Sequence, residues 1–179
     1  MYSSEQYSVH FGETISEEGH NFGETTTEER HKVSSVEKED EYEHAVGFLV
    51  HKDIVNTVMG CRQVTSRFIT IRLKAVPFNI TIVQAYAPTS EYNDNKIEEF
   101  YDQLQNAIDQ TPKKDILVVQ GDWNAKVGRD VCGNWQGICG SFSDDDTNER
   151  GLRLLEFATF NDLELANTFG HHKASRRWT

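Results

Sequence analysis

The chain has 179 residues, enough for one domain of ordinary size with a sizeable core, and no apolar stretch of membrane-spanning length. Its net charge of -11 is uneven: residues 1–44 carry twelve acids and three bases, residues 45–179 seventeen acids and fifteen bases. The nearly neutral remainder neither demands nor forbids a nucleic-acid partner, so any electrostatic steering must come from a local patch.

The N-terminus has neither a basic leader nor an apolar run, and the three cysteines, Cys61, Cys132 and Cys139, form no even framework. Both features lead us to expect free thiols and an intracellular protein, nuclear or cytoplasmic, with no membrane partner. Residues 1–44 are rich in Glu, Ser, Thr and His and poor in aliphatics. Such a composition cannot bury enough apolar surface to offset chain entropy, so poor order is expected there. The domain proper is expected over 45–179.

Ala45 to Val50 is almost wholly apolar and reads as a buried strand, with Ile54 to Met59 as a second. Phe68 to Lys74 and Asn79 to Tyr86 alternate in strand fashion and form a predicted hairpin. Pro77 falls in their connection because it cannot donate to a central ladder. Ile97, Phe100, Tyr101, Leu104, Ala107 and Ile108 recur at helical spacing, and Asn95 with Glu98 resembles a capping box. Pro112 and Lys113-Lys114 close that helix, and Ile116 to Val119 supplies the continuous apolar run of a strand covered on both faces. A glycine-rich loop is expected over 128–143, then a helix capped by Asp146 with Glu149, then a short strand from Leu163 to Ala166. The order describes a mixed α/β domain.

Chemistry in layered α/β folds gathers at strand ends, where a sheet fixes the backbone and a loop leaves side-chain tips open. Val118 to Gly128, VVQGDWNAKVG, ends an apolar strand on Gly121, Asp122, Trp123 and Asn124. Gly121 permits a close backbone approach. If the chain stays extended, Asp122 and Asn124 point the same way: a carboxylate to orient water or bind a metal, an amide to hold a phosphoryl oxygen. Asp and Asn are also favoured turn residues, so the tetrapeptide alone equally describes an Asx turn. A second strand ends at Gln84-Ala85-Tyr86-Ala87-Pro88, where a Tyr also suits packing with a wet hydroxyl.

Taken with GFLVHKDIVNTVMGCR, ITIVQAYAPTSEYNDNKIEEFYDQL, CGNWQGICG and DDTNERGLRLLEFATFNDLELANTFGHHKASRRWT, these strand ends resemble the endonuclease/exonuclease/phosphatase (DNase I-like) superfamily. Within it the chain looks like the endonucleases of LINE-type non-LTR retrotransposons, in particular the craniofacial development protein 2-like group. The resemblance implies a partial four-layer α/β sandwich, its mixed, mostly antiparallel sheets flanked by helices. It implies hydrolysis of DNA phosphodiesters with Mg2+ or Mn2+. Tyr86 then contacts the scissile phosphate, Asp122 orients or activates the water, and Asn124 holds the phosphate. Glu17 corresponds to the family's metal-binding Glu, with Glu18 beside it as acidic. The family's leading Asn strand and its closing Asp and Asp-His pair have no counterpart here. Hydrolysis is therefore expected to be weak or lost, with a non-catalytic DNA-binding or interaction fragment as the alternative and a small-phosphoester phosphatase behind it.

His171, His172, Arg176 and Arg177, with Trp178 adjacent, form the concentrated basic patch, able to touch a phosphate backbone and stack on a base, or simply to be solvated. Asp144-Asp145-Asp146 lacks the glycine spacing of a calcium loop and reads as helix capping. Trp123 and Trp135 read as packing residues.

Overall fold

A computed structural model describes residues 23–27, 30–34, 46–89, 91–142 and 146–170. The chain divides into two compact units: residues up to Tyr86 with Asp102–Gly121, and Ala87–Tyr101 with the residues from Asp122 onward.

The first unit holds two sheets. One is antiparallel, with β1 (Gly23–Thr27), β2 (Arg30–Ser34) and β3 (Gly47–His51) in that order. β1 and β2 fall inside the acidic segment whose composition argues against packed structure. The physical cause is pairing: β2 pairs onto the apolar β3, and the Thr-rich β1, with strand propensity of its own, pairs onto β2. The other sheet has the order β4 (Val58–Thr65), β5 (Phe68–Leu73), β6 (Ile80–Tyr86) and β7 (Ile116–Asp122). The second predicted strand begins late, because Val55–Thr57 forms a 3-10 turn before β4.

β5 and β6 form the expected antiparallel hairpin, Ile71 facing Ile82, and a cis Val76–Pro77 bond lies in the connection. β6 and β7 run parallel, since Ile116 N–H donates to Asn79 O at one end and Ala87 N–H to Asp122 O at the other. A parallel neighbour needs a long crossover, and the chain between them carries α1 (Asp94–Asp109). Val46, Phe48, Val50, Ile69 and Ile71 are buried together, with Val58, Leu73, Ile82 and Tyr86 packed on them. Burying each such aliphatic contributes about 1.5–3 kcal/mol. β7 is not covered on both faces as its apolar run predicts: Ile116 is 50% and Val118 38% exposed. The Asp115 side chain, 2% exposed, accepts both arms of the Arg72 fork at 2.6 and 2.9 Å and the Thr81 hydroxyl at 2.8 Å. That pairing holds the Asp115 carboxyl below its usual range.

In the second unit the helix caps differ from those the sequence predicts. Asn93, not Asn95, caps α1, its Oδ1 accepting from Lys96 N–H at 3.1 Å. Glu98 instead meets Arg153 of α3 (Glu149–Phe160) through a two-bond fork at 2.9 Å. Asn148, not Asp146, caps α3, accepting from Gly151 N–H at 2.8 Å and Lys126 N–H at 3.0 Å. Both errors have one cause: several Asx residues stand in a row, and only the incoming chain direction selects the one whose side chain reaches the exposed N–H groups. The loop over 128–143 contains a short helix, α2 (Arg129–Cys132). No strand forms from Leu163 to Ala166; Leu163 N–H bonds Ala158 O, Leu165 N–H bonds Ile138 O, and a 3-10 turn follows at Ala166–Thr168.

Aromatic and apolar packing organises this unit. Trp123 lies edge-on to Phe100 with ring centres 6.4 Å apart, Tyr101 packs on Phe157 at 5.0 Å, and the Arg153 guanidinium sits 4.5 Å from the Tyr101 ring centre. Trp135 packs against buried Cys132, Cys139 and Leu155. The two tryptophans are packing residues, as their context predicts.

Candidate functional site

β7 ends in a bend that its own residues make possible. Gly121 has φ +147°, and a Cβ on it would collide with the Ala85 carbonyl of β6. Only glycine accepts both that dihedral and that approach. Asp122 follows, and by Asn124 the backbone has turned left-handed, φ 46°, a conformation Asn tolerates better than other side-chain-bearing residues.

Three hydrogen bonds fix this strand end. Asn124 N–H donates to Asp122 Oδ1 at 3.0 Å, Asn124 Nδ2 to Ala87 O at 2.7 Å, and Ala87 N–H to Asp122 O at 2.8 Å. The extended geometry in which Asp122 and Asn124 would point the same way is therefore replaced by an Asx turn. The turn itself brings the pair together, with one carboxylate oxygen held by a backbone N–H and the carboxamide locked onto the residue after Tyr86. An amide nitrogen carries two hydrogens, so holding Ala87 leaves a second donor on Asn124. A non-glycine residue at positive φ stores strain of about 1–3 kcal/mol, which the surrounding bonds must hold.

Tyr86 ends β6, half-buried on the first unit's core. Arg67, in the turn between β4 and β5, donates from Nη1 to Tyr86 O at 3.3 Å, accepts Tyr86 N–H on its carbonyl at 3.0 Å, and places its guanidinium 5.9 Å from the Tyr86 ring centre. Arg67 escaped the sequence reading. Its only signal is a cation in the β4–β5 turn, and its nearness to Tyr86 depends on β5 pairing with β6, Phe68 opposite Ala85.

Among the described residues, no group of three or more His, Cys, Asp or Glu side chains could hold a metal ion. Asp122 offers one hard oxygen donor, suited to Mg2+ in kind but not a centre by itself. Glu17, Glu18 and the patch of His171, His172, Arg176, Arg177 and Trp178 lie outside the described residues, as do Asp144 and Asp145. No helix is long and apolar enough to cross a membrane among the described residues.

No protein-family model matches the chain. Craniofacial development protein 2 of Bos taurus is 38% identical over 136 residues, covering 76% of this chain and 22% of that protein. The Tragulus javanicus protein of the same name matches at 38% over 136 residues, covering 76% and 23%. The chain thus spans about a fifth of the length of these relatives. Among solved structures, the endonuclease domain of TRAS1, a telomere-specific non-LTR retrotransposon, aligns with a TM-score of 0.43 at 19% identity, over 65% of this chain and 46% of that one.

Proposed function

For a chain that belongs with the craniofacial development protein 2 homologues, we propose Mg2+-dependent hydrolysis of a DNA phosphodiester as the activity of this site, weak or lost in this chain. The observation that carries this reading is the Asx-turned strand end, where Asn124, at a φ of 46°, Asp122 and Ala87 are tied together by three hydrogen bonds. Strain persists where its surroundings over-determine it, and such places cluster at functional sites.

In this reading Asp122 takes a hydrogen bond from the attacking water and orients it, the other oxygen being occupied by Asn124 N–H. The second amide hydrogen of Asn124 donates to a phosphoryl oxygen as negative charge develops. Arg67 adds positive charge beside Tyr86. A divalent ion, when bound, would neutralise phosphate charge; the described residues supply Asp122 alone toward it, so no step is derived through it.

Nicking of supercoiled plasmid tests the proposal. The full chain with Mg2+ is expected to convert supercoiled to open-circular DNA slowly at most, and Asp122→Ala to abolish that nicking. Because Ala also removes the acceptor for Asn124 N–H, Asp122→Asn, which keeps an oxygen there, is the second variant and should abolish it as well while staying folded. Nicking that survives Asp122→Ala would sink it. The same assay tests a second reading, a DNA-binding module without hydrolysis. DNA binding unchanged by Asp122→Ala, with no nicking, would decide for that one.

A further inference from the structure

Two of the three cysteines stand side by side. Cys132, the last residue of α2, and Cys139, seven residues on, are 7% and 4% exposed, and Cys139 Sγ donates to Cys132 Sγ at 2.6 Å. Cys132 Sγ in turn donates to Gly128 O at 3.2 Å. Leu155 of α3, with Val127, Val131, Trp135, Ile138 and Leu165, packs around the pair. Cys61, by contrast, is only partly buried and belongs to the first unit.

From this geometry we propose that Cys132 and Cys139 are a reversible dithiol–disulfide pair, oxidised by small-molecule disulfides and closing the loop CGNWQGIC onto α3. Nearly all the movement that cross-linking demands has already been made, because the sulfurs are in contact and the loop between them is ordered by Trp135 and Ile138 on the same cluster. The exchange balances without another reagent. One cysteine thiolate attacks a sulfur of the oxidant, here glutathione disulfide, and releases one glutathione thiolate. The second cysteine then attacks the mixed disulfide and releases the other. The protein loses two electrons and two protons; glutathione disulfide gains both as two thiols.

Burial sets the rate. The Cys139 thiol is pushed up to about 12, first by desolvation and then by its bond to Cys132, so it is protonated at neutral pH. With both sulfurs covered, oxidation proceeds through local opening of the loop and is slow and faster at alkaline pH.

The test uses the full chain carrying Cys61→Ser, in which Cys132 and Cys139 are the remaining cysteines. It is equilibrated in glutathione buffers of increasing disulfide fraction, acid-quenched, alkylated under denaturing conditions and mapped by peptide mass. The expected result is a single intrachain Cys132–Cys139 link, reversed by dithiothreitol. Closing so short a loop raises the melting temperature by about 5–10 °C, with one cooperative transition in both states. Cys139→Ser is expected to remove the shift. Recovery of both cysteines alkylated from the most oxidising buffer, or only as separate glutathione adducts, overturns the proposal. A linked chain that melts no higher than the reduced one overturns it too.

Discussion

Replacing Gly121 by Ala isolates the feature on which the strand end depends. Two costs add. The dihedral of +147° lies in backbone space that side-chain-bearing residues avoid, at a cost of about 1–3 kcal/mol. The added methyl is driven into the Ala85 carbonyl, a backbone atom of the neighbouring strand that cannot rotate aside. Overpacking of that kind costs about 1–3 kcal/mol more. Against this, Ala restricts the unfolded chain and returns about 0.4–1 kcal/mol. The net loss is about 1–6 kcal/mol, which for a chain of this size lowers the melting temperature by about 2–20 °C. Circular dichroism melts of Gly121→Ala, with Gly60→Ala and Gly133→Ala as controls, make the measurement. A Cβ at either control position meets nothing within 4 Å, so both should melt within a few degrees of the parent. If Gly121→Ala melts with the controls, the close approach of β7 to β6 at Ala85 is wrong, and the account of the strand end falls with it.

Asn148→Ala removes the acceptor for both Gly151 N–H and Lys126 N–H, and urea denaturation should show a loss of about 1–2 kcal/mol; an unchanged midpoint would return the cap to Asp146. Glu98 is held below its ordinary carboxyl range first by its hydrogen bonds from Arg153. A group with a lowered folded value stabilises above its unfolded value, here 4.5, and loses that contribution as pH falls through the folded one. Because the Glu98 side chain is 58% exposed, Glu98→Gln should cost less than about 1 kcal/mol at pH 7, shrinking to nothing in strong acid and with added salt. A difference that grows below pH 4 would contradict the pairing.

Local chemistry carried much of this protein's design. Strand alternation in Phe68–Leu73 and Ile80–Tyr86, the helical period from Ile97 to Ala107 and the run Ile116–Val119 are short-range patterns, and the corresponding β5, β6, α1 and β7 formed where those patterns lie. Gly121-Asp122-Trp123-Asn124 was likewise legible as a strand end that is either a turn or a site. What the sequence left undecided were choices among equivalent neighbours. Asn93 over Asn95 and Asn148 over Asp146 depend on the direction from which the chain enters each helix. β2 finds its partner in β3 and β1 in β2, pairings invisible in their own composition. The same holds for the sulfurs of Cys132 and Cys139, whose spacing matches no short cysteine motif until α2 and the loop fold both onto Leu155. Tertiary structure decided for the turn at the strand end. Asn124 turns left-handed, its backbone N–H holds one oxygen of the Asp122 carboxylate and its amide holds Ala87. Periodicity and propensity act between near neighbours, whereas a bond from Asn124 to Ala87 spans 37 positions and is set by packing alone.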